Sequence, residues 1–128
     1  MRAMEYAQIV VLLVDARSPL ERQDLAIARH TLDEGRGLIV AANKWDLIDD
    51  RQAAMGQLRD RLETSLTQAR GVTVIAMSAL TGKGVDKLMP AVSKVYERWQ
   101  VRISTAALNR WLSVMTESIS NSSFAIYF

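Results

Sequence analysis

Three short apolar runs punctuate the chain: IVVLLV at 9–14, LIVAA at 38–42 and VTVIAM at 72–77. None alternates cleanly between apolar and polar positions. Continuous runs of this length, rich in β-branched residues, suit strands covered on both faces, as in a parallel sheet. The stretches between them carry helical periodicity instead. SPLERQDLAIARHTLDEG opens on Ser18, Pro19 and Glu21, a capping-box pattern with proline in the first turn, and closes on Gly35. A start one turn later, near Glu21, fits equally. Met55, Leu58, Leu62, Leu66 and Ala69 form the next apolar stripe. After the third run, Val85, Leu88, Val92, Val95 and Trp99 are spaced 3, 4, 3 and 4, one face of a helix. Leu108, Trp111, Leu112, Met115 and Ile119 follow at similar spacing.

The predicted order is β-α-β-α-β-α and then another helix. Strands that alternate with helices of this length imply crossover connections and a parallel sheet. The expected fold is therefore α/β: three parallel strands with flanking helices, plus an extra C-terminal helix. A polar break near 102–105 marks a candidate boundary between residues 1–103 and 104–128. In so small a sheet the first strand is an exposed apolar edge, and such an edge seeks a partner by strand addition or self-association.

Composition narrows the classes. Sixteen basic and 14 acidic side chains leave a formal net charge of +2, and the twelve arginines form no polybasic tract. That is weak evidence for nucleic-acid binding by this segment alone. The chain has no cysteine, which removes disulfides and thiolate metal sites. The longest apolar run near the N-terminus is too short for a membrane span or a signal sequence. A cytoplasmic, soluble protein with no membrane role is the expectation.

Chemistry concentrates past the ends of the second and third runs. Ligands of open parallel sheets bind beyond the carboxyl ends of the strands. Asn43, Lys44 and Asp46 follow the second run; Ser78, Ala79 and Leu80 follow the third. Adjacent strands would bring these loops together. The set suits guanine. Its ring N1–H and exocyclic amine donate along one edge, and one carboxylate, Asp46, accepts both. Adenine offers no such pair and would leave the carboxylate desolvated, at a cost on the order of 1–3 kcal/mol. Asn43 can meet the acceptor side of the base and tie the loops together. The Lys44 stem can cover one ring face. The Ala79 N–H can donate to the guanine carbonyl. The Ser78 hydroxyl can hold the loop or Asp46, and Leu80 lies on the other face of the base or in the core. The plainer alternative for Asn43 and Asp46 is a turn with a helix cap.

NKWD (43–46) followed by SAL (78–80) resembles the guanine-recognition boxes of translation-factor-type P-loop GTPases. The flanks VVLLVDA, RQDLAIA, SALTGKGVDKLMPAV and YERWQVRISTAALNRWL are similar to the second G domain of the Der (EngA) family, over roughly residues 1 to 117. That family is one of bacterial tandem GTPases with a C-terminal KH-like domain, acting in large ribosomal subunit assembly. The resemblance implies a partial P-loop GTPase fold in residues 1–103 and a truncated KH-like start in 104–128. It implies GTP or GDP as ligand, and the large ribosomal subunit and its rRNA as partners of the full family. RNA binding through RISTAALNRWLSVMT rests on that likeness alone. Magnesium belongs to the full family, with no ligands expected here. No GxxxxGK[ST] and no DxxG after a strand occur in the sequence. The phosphate-binding and switch residues are thus not found, no catalytic residue can be named, and the expectation is an internal fragment, inactive alone, whose last eleven residues depart from the family.

The remaining side chains have plain readings. Asp15 is a strand-end hydrogen-bonding residue and Trp45 a packing residue. His30 sits on a helix surface. Trp99 and Trp111 pack in a core or between domains. The arginines make a solvated face, and residues 81–84 form a loop before a helix.

Overall fold

The structure is a computed structural model and describes residues 8–18 and 20–119. Three strands, β1 (Ile9–Asp15), β2 (Gly37–Asn43) and β3 (Thr73–Ala76), form one parallel sheet in the order β1-β2-β3. The register pairs Asp15 with Asn43 and Ala42 with Ala76, so the strands end at one level. Two helices fill the crossovers, α1 (Arg22–Asp33) and α2 (Arg51–Ser65), and α3 (Leu88–Ile119) follows the last strand. The α/β fold with three parallel strands and flanking helices stands as read from the sequence.

Two apolar layers sandwich β2. On one face Leu38, Val40 and Ala42, with Leu12 and Val14 of β1, pack against Leu25, Ala28 and Leu32 of α1 and Leu58 and Leu62 of α2. On the other, Ile39 and Ile75 meet Leu88, Ala91, Val92 and Val95 of α3. Every β2 residue from Gly37 to Ala42 is buried, which is why this run shows no alternation. β1 departs from the expectation of double coverage. Leu12 and Val14 are buried, but Val11 and Leu13 are 38% and 54% exposed. Among the described residues, the apolar stripe of α3 packs against Ile9, Ile39 and Ile75 on that face.

Helix α1 takes the later of its two predicted starts. Glu21 is its N-cap, with a capping box to Asp24; Ser18 donates its hydroxyl to Glu21 instead of capping. Asp50 caps α2 by accepting from the Ala53 N–H at 3.1 Å. The two stripes predicted after β3 lie on one helix that runs through 102–105 without a break. Ser104 and Thr105 are weak helix formers but are tolerated inside one, and Ala106, Ala107 and Leu108 that follow are strong ones.

The chain divides into two compact units, Met1–Tyr96 and Glu97–Phe128. The described part of the second is helix. Leu108, Trp111 and Met115 are exposed on it, Trp111 to 58%, so the packing role expected of Trp111 is not seen in the described residues. Trp99 is half-buried and His30 exposed. Not every arginine is merely solvated: Arg61 Nε donates to the Leu20 carbonyl at 2.8 Å, and Arg17 is engaged at the site described next. No helix among the described residues is long and apolar enough to cross a membrane.

Candidate functional site

The loops after β2 and β3 are bound together at the carboxyl end of the sheet. The Met77 N–H donates to the Ala42 carbonyl at 2.9 Å, continuing the ladder one residue beyond β3. The Trp45 N–H donates to the Met77 carbonyl at 3.1 Å. Between them, Asn43 Oδ1 accepts the Ala79 N–H at 2.9 Å. This side-chain bond fixes the amide orientation, because only its oxygen can accept. The Asn43 amine is thereby the group left for a ligand acceptor. The predicted tie between loops is present. The Ala79 N–H, expected to serve a base carbonyl, is engaged by Asn43 instead.

The turn itself is shaped for display. Lys44 has φ +62°, a left-handed conformation uncommon for a side chain with Cβ. It lets the chain leave β2 sharply and enter the short 3-10 turn Trp45–Leu47. Trp45 packs onto the core under the turn, as expected of it. Asp46 is exposed, and among the described residues no hydrogen bond or ion pair occupies its carboxylate. It caps no helix; that task falls to Asp50. The plain turn-and-cap alternative is therefore half right: a turn, but with Asp46 outside the cap.

The second loop is tightly built. Ser78 is 2% exposed and its hydroxyl accepts the Thr81 N–H at 3.2 Å. Its backbone is held at both ends, by the Lys83 carbonyl at 2.9 Å and the Gly82 N–H at 2.8 Å. Of the two predicted roles for Ser78, holding the loop is the one the structure gives. Gly84 closes the loop at φ +80°, where an added Cβ would strike the Ala76 carbonyl and lie 3.1 Å from Met77 Cα. Leu80 is 89% exposed at the loop tip, which removes a core role and leaves it available to a ligand face.

A cleft of about 300 Å³ opens between the loops, lined by Asp46, Ser78, Trp45, Arg51, Lys83 and Lys87 among others. It shares Asp46 and Ser78 with the predicted set but does not include Asn43, Lys44, Ala79 or Leu80.

The sequence reading passed over Arg17. Asp15 accepts from Arg17 Nε at 3.1 Å, Arg17 Nη2 at 2.9 Å and the Arg17 N–H at 2.9 Å. Lys44 Nζ adds an ion pair to the same carboxylate at 3.3 Å. The Arg17 side-chain bonds, then its backbone N–H, then Lys44, hold the Asp15 carboxyl well below the usual carboxylate range. In the sequence, Asp-x-Arg immediately after an apolar run permits such a fork without predicting it. No three His, Asp or Glu side chains converge among the described residues.

Comparison with known proteins places this arrangement. A family model described as "Elongation factor Tu GTP binding domain" matches residues 1–98. "GTPase Der" of Parvibaculum lavamentivorans is 48% identical over 120 residues, which are 94% of this chain and 25% of that protein. "GTPase Der" of Dinoroseobacter shibae is 46% identical over 118 residues, 92% of this chain and 24% of that protein. "GTPase Der" of Rhizobium johnstonii is 48% identical over 112 residues, 88% and 24% respectively. The chain spans about a quarter of the length of the curated relatives it matches. Parallel strands with joined loops at their carboxyl ends, and the match over residues 1–98, establish that the chain belongs to the family of the elongation factor Tu GTP-binding domain, where its relatives are Der-type GTPases.

Proposed function

We propose that the loops at 43–46 and 78–80 select guanine and that the chain is the guanine-binding segment of a Der-type, ribosome-assembly GTPase. The observation that carries this reading is Asp46: an exposed carboxylate with no partner among the described residues, on a turn held in place by Asn43, Ala79, Trp45 and Met77. A partner-free carboxylate can accept the N1–H and amine of guanine together. The Asn43 amine would meet an acceptor on the other edge, since its oxygen serves Ala79. The Lys44 stem and Leu80 would cover the two ring faces. GTP and GDP are the ligands this reading names, with the large ribosomal subunit and its rRNA as partners of the whole family. A cytoplasmic location and a KH-like start after residue 103 belong to the same proposal. The proposal covers base selection and assigns hydrolysis to none of these residues.

Base contacts alone set affinity near a Kd of about 1 mM, or roughly −4 kcal/mol. Titration of the isotopically labelled chain with guanosine and adenosine tests the reading. Guanosine should shift Asp46 and Leu80 resonances in the millimolar range, adenosine should not, and Asp46→Ala should abolish the response. Equal responses to both nucleosides, or none to guanosine, would overturn it.

One observation favours a second role beside the first. β1 pairs with β2 alone among the described strands, and Val11 and Leu13 stand exposed on its open face. Apolar edge strands of this kind add a strand from a partner or self-associate. Light scattering tests it. A concentration-dependent dimer that Leu13→Lys disperses supports it; a monomer across the range removes it.

A further inference from the structure

Two cations stand at the sheet end with Asp46, and among the described residues neither pairs with it. Arg17 and Lys44 are both engaged by Asp15, the residue that ends β1 opposite Asn43. The Arg17 fork uses both carboxylate oxygens, and Lys44 joins at Oδ2. Arg17 nevertheless lies within the field of Asp46: its charged form is favoured by Asp15 first and then by Asp46. Without Asp15, Asp46 is the carboxylate whose charge still acts on Arg17, and it lies two residues from Lys44 in the chain. An arginine fork on Asp46 would fill the same two acceptor positions that a base edge with two donors requires.

We propose that Asp15 is a positioning residue for the base site: it holds Lys44 across the sheet end and keeps Arg17 off Asp46, so that the Asp46 carboxylate stays open to ligand. Its consequence for ligand rests on the guanine reading above. Its structural half does not, and can be observed in the ligand-free chain. The arrangement explains why two cations beside a free carboxylate leave it free. It also assigns a task to the left-handed turn at Lys44, whose amine ends on Asp15 rather than on its near neighbour Asp46.

The test uses the full 128-residue chain as wild type, Asp15→Asn, Arg17→Gln and the double variant. The first readout is the Asp46 Cγ resonance at neutral pH without ligand. Asp15→Asn should shift it as Arg17 turns to Asp46, and the double variant should return it most of the way to wild type. The second readout is guanosine titration. Asp15→Asn should weaken binding about threefold to fivefold, the scale of one exposed ion pair competing for the site. The double variant should recover that loss, which a merely structural role for Asp15 would not allow. Asp15→Ser keeps an acceptor for the Arg17 N–H and replaces Asp15→Asn if that variant does not fold. An Asp46 resonance unmoved by loss of Asp15, or a double variant no better than the single in guanosine binding, would overturn the inference. If wild type fails to bind guanosine, the base-selection reading falls, while the ligand-free resonance still decides this one.

Discussion

The Asn43 amide oxygen accepts the Ala79 N–H at 2.9 Å, and this bond joins the loops that follow β2 and β3. One side chain thus sets the spacing of two candidate recognition elements that lie far apart in sequence. Asn43 can do this because it ends β2 level with Asp15, just where the ladder to β3 gives out. Asn43→Ala should detach the loop. The expected loss is about 1 kcal/mol of unfolding free energy in urea, the net scale of one such hydrogen bond. Amide exchange at Ala79 should accelerate more than exchange in the strands. Unchanged exchange at Ala79 would show that the loop holds its place without Asn43.

Gly84 is the steric pivot of the same loop. Its φ of +80° is strained for any side chain, and its Cβ position is occupied by the Ala76 carbonyl. Gly84→Ala should therefore cost about 1–3 kcal/mol, combining backbone strain with displacement of β3. Gly82→Ala is the control: its φ is similar, +81°, but nothing lies within 4 Å of its Cβ position. Equilibrium unfolding should rank Gly84→Ala clearly below Gly82→Ala, and equal effects would deny the clash a part in it.

The core makes a simpler demand. Leu62 is 1% exposed and sits in the layer where α2 meets the sheet. Leu62→Ala should destabilise the chain by about 2–5 kcal/mol through lost apolar burial and the cavity left behind. Against a net stability on the order of 5–15 kcal/mol such a loss is a large fraction. The measurement is the urea midpoint, with Ile39→Val as a milder companion at about 1 kcal/mol on the opposite face.

These residues also show what the sequence made legible. The run at 38–42 was readable because burial on both faces suppresses alternation, and β2 is buried throughout. The helical stripes were readable because period 3.6 survives in any amphipathic helix. The half-covered state of β1 was not readable, since IVVLLV looks the same whether or not a neighbour covers Val11 and Leu13. The loop positions of Asn43, Asp46 and Ser78 followed from strand order. Their individual bonds did not, because whether the Ala79 N–H serves Asn43 or a ligand depends on tenths of an ångström. Arg17 escaped for a related reason: a single arginine among twelve carries no period, and only the sheet end shows that it closes on Asp15.

Acid should expose the Asp15 cluster in stability measurements. Its folded carboxyl titrates well below the ordinary 3.8, chiefly through the Arg17 side-chain bonds. The unfolded chain therefore binds the proton first as pH falls, so the native state loses ground from about pH 4 downward and keeps the full contribution above about pH 5. Asp15→Asn removes the group. The stability difference between wild type and Asp15→Asn should be constant from about pH 5 to 7 and shrink below about pH 4. A difference that grows on acidification would contradict the assigned direction.

Asp46 offers the sharpest test, because its chemistry can be inverted rather than deleted. The carboxylate presents two acceptors to a base edge; an asparagine at the same place presents one acceptor and one donor. Guanine places a second donor, its amine, where the asparagine of the variant would place its own, so two donors would face each other. Xanthine carries a carbonyl in place of that amine and would restore the pair. Asp46→Asn should thus lose guanosine binding by about tenfold or more and gain xanthosine, a reversal worth on the order of 1–3 kcal/mol in each direction. The fold should be untouched, since the Asp46 side chain is exposed and bonds to nothing in the protein among the described residues. Nuclear magnetic resonance titration of both proteins with both nucleosides measures the four affinities. A variant that weakens toward guanosine and xanthosine alike would mean that Asp46 shapes the turn and does not read the base edge.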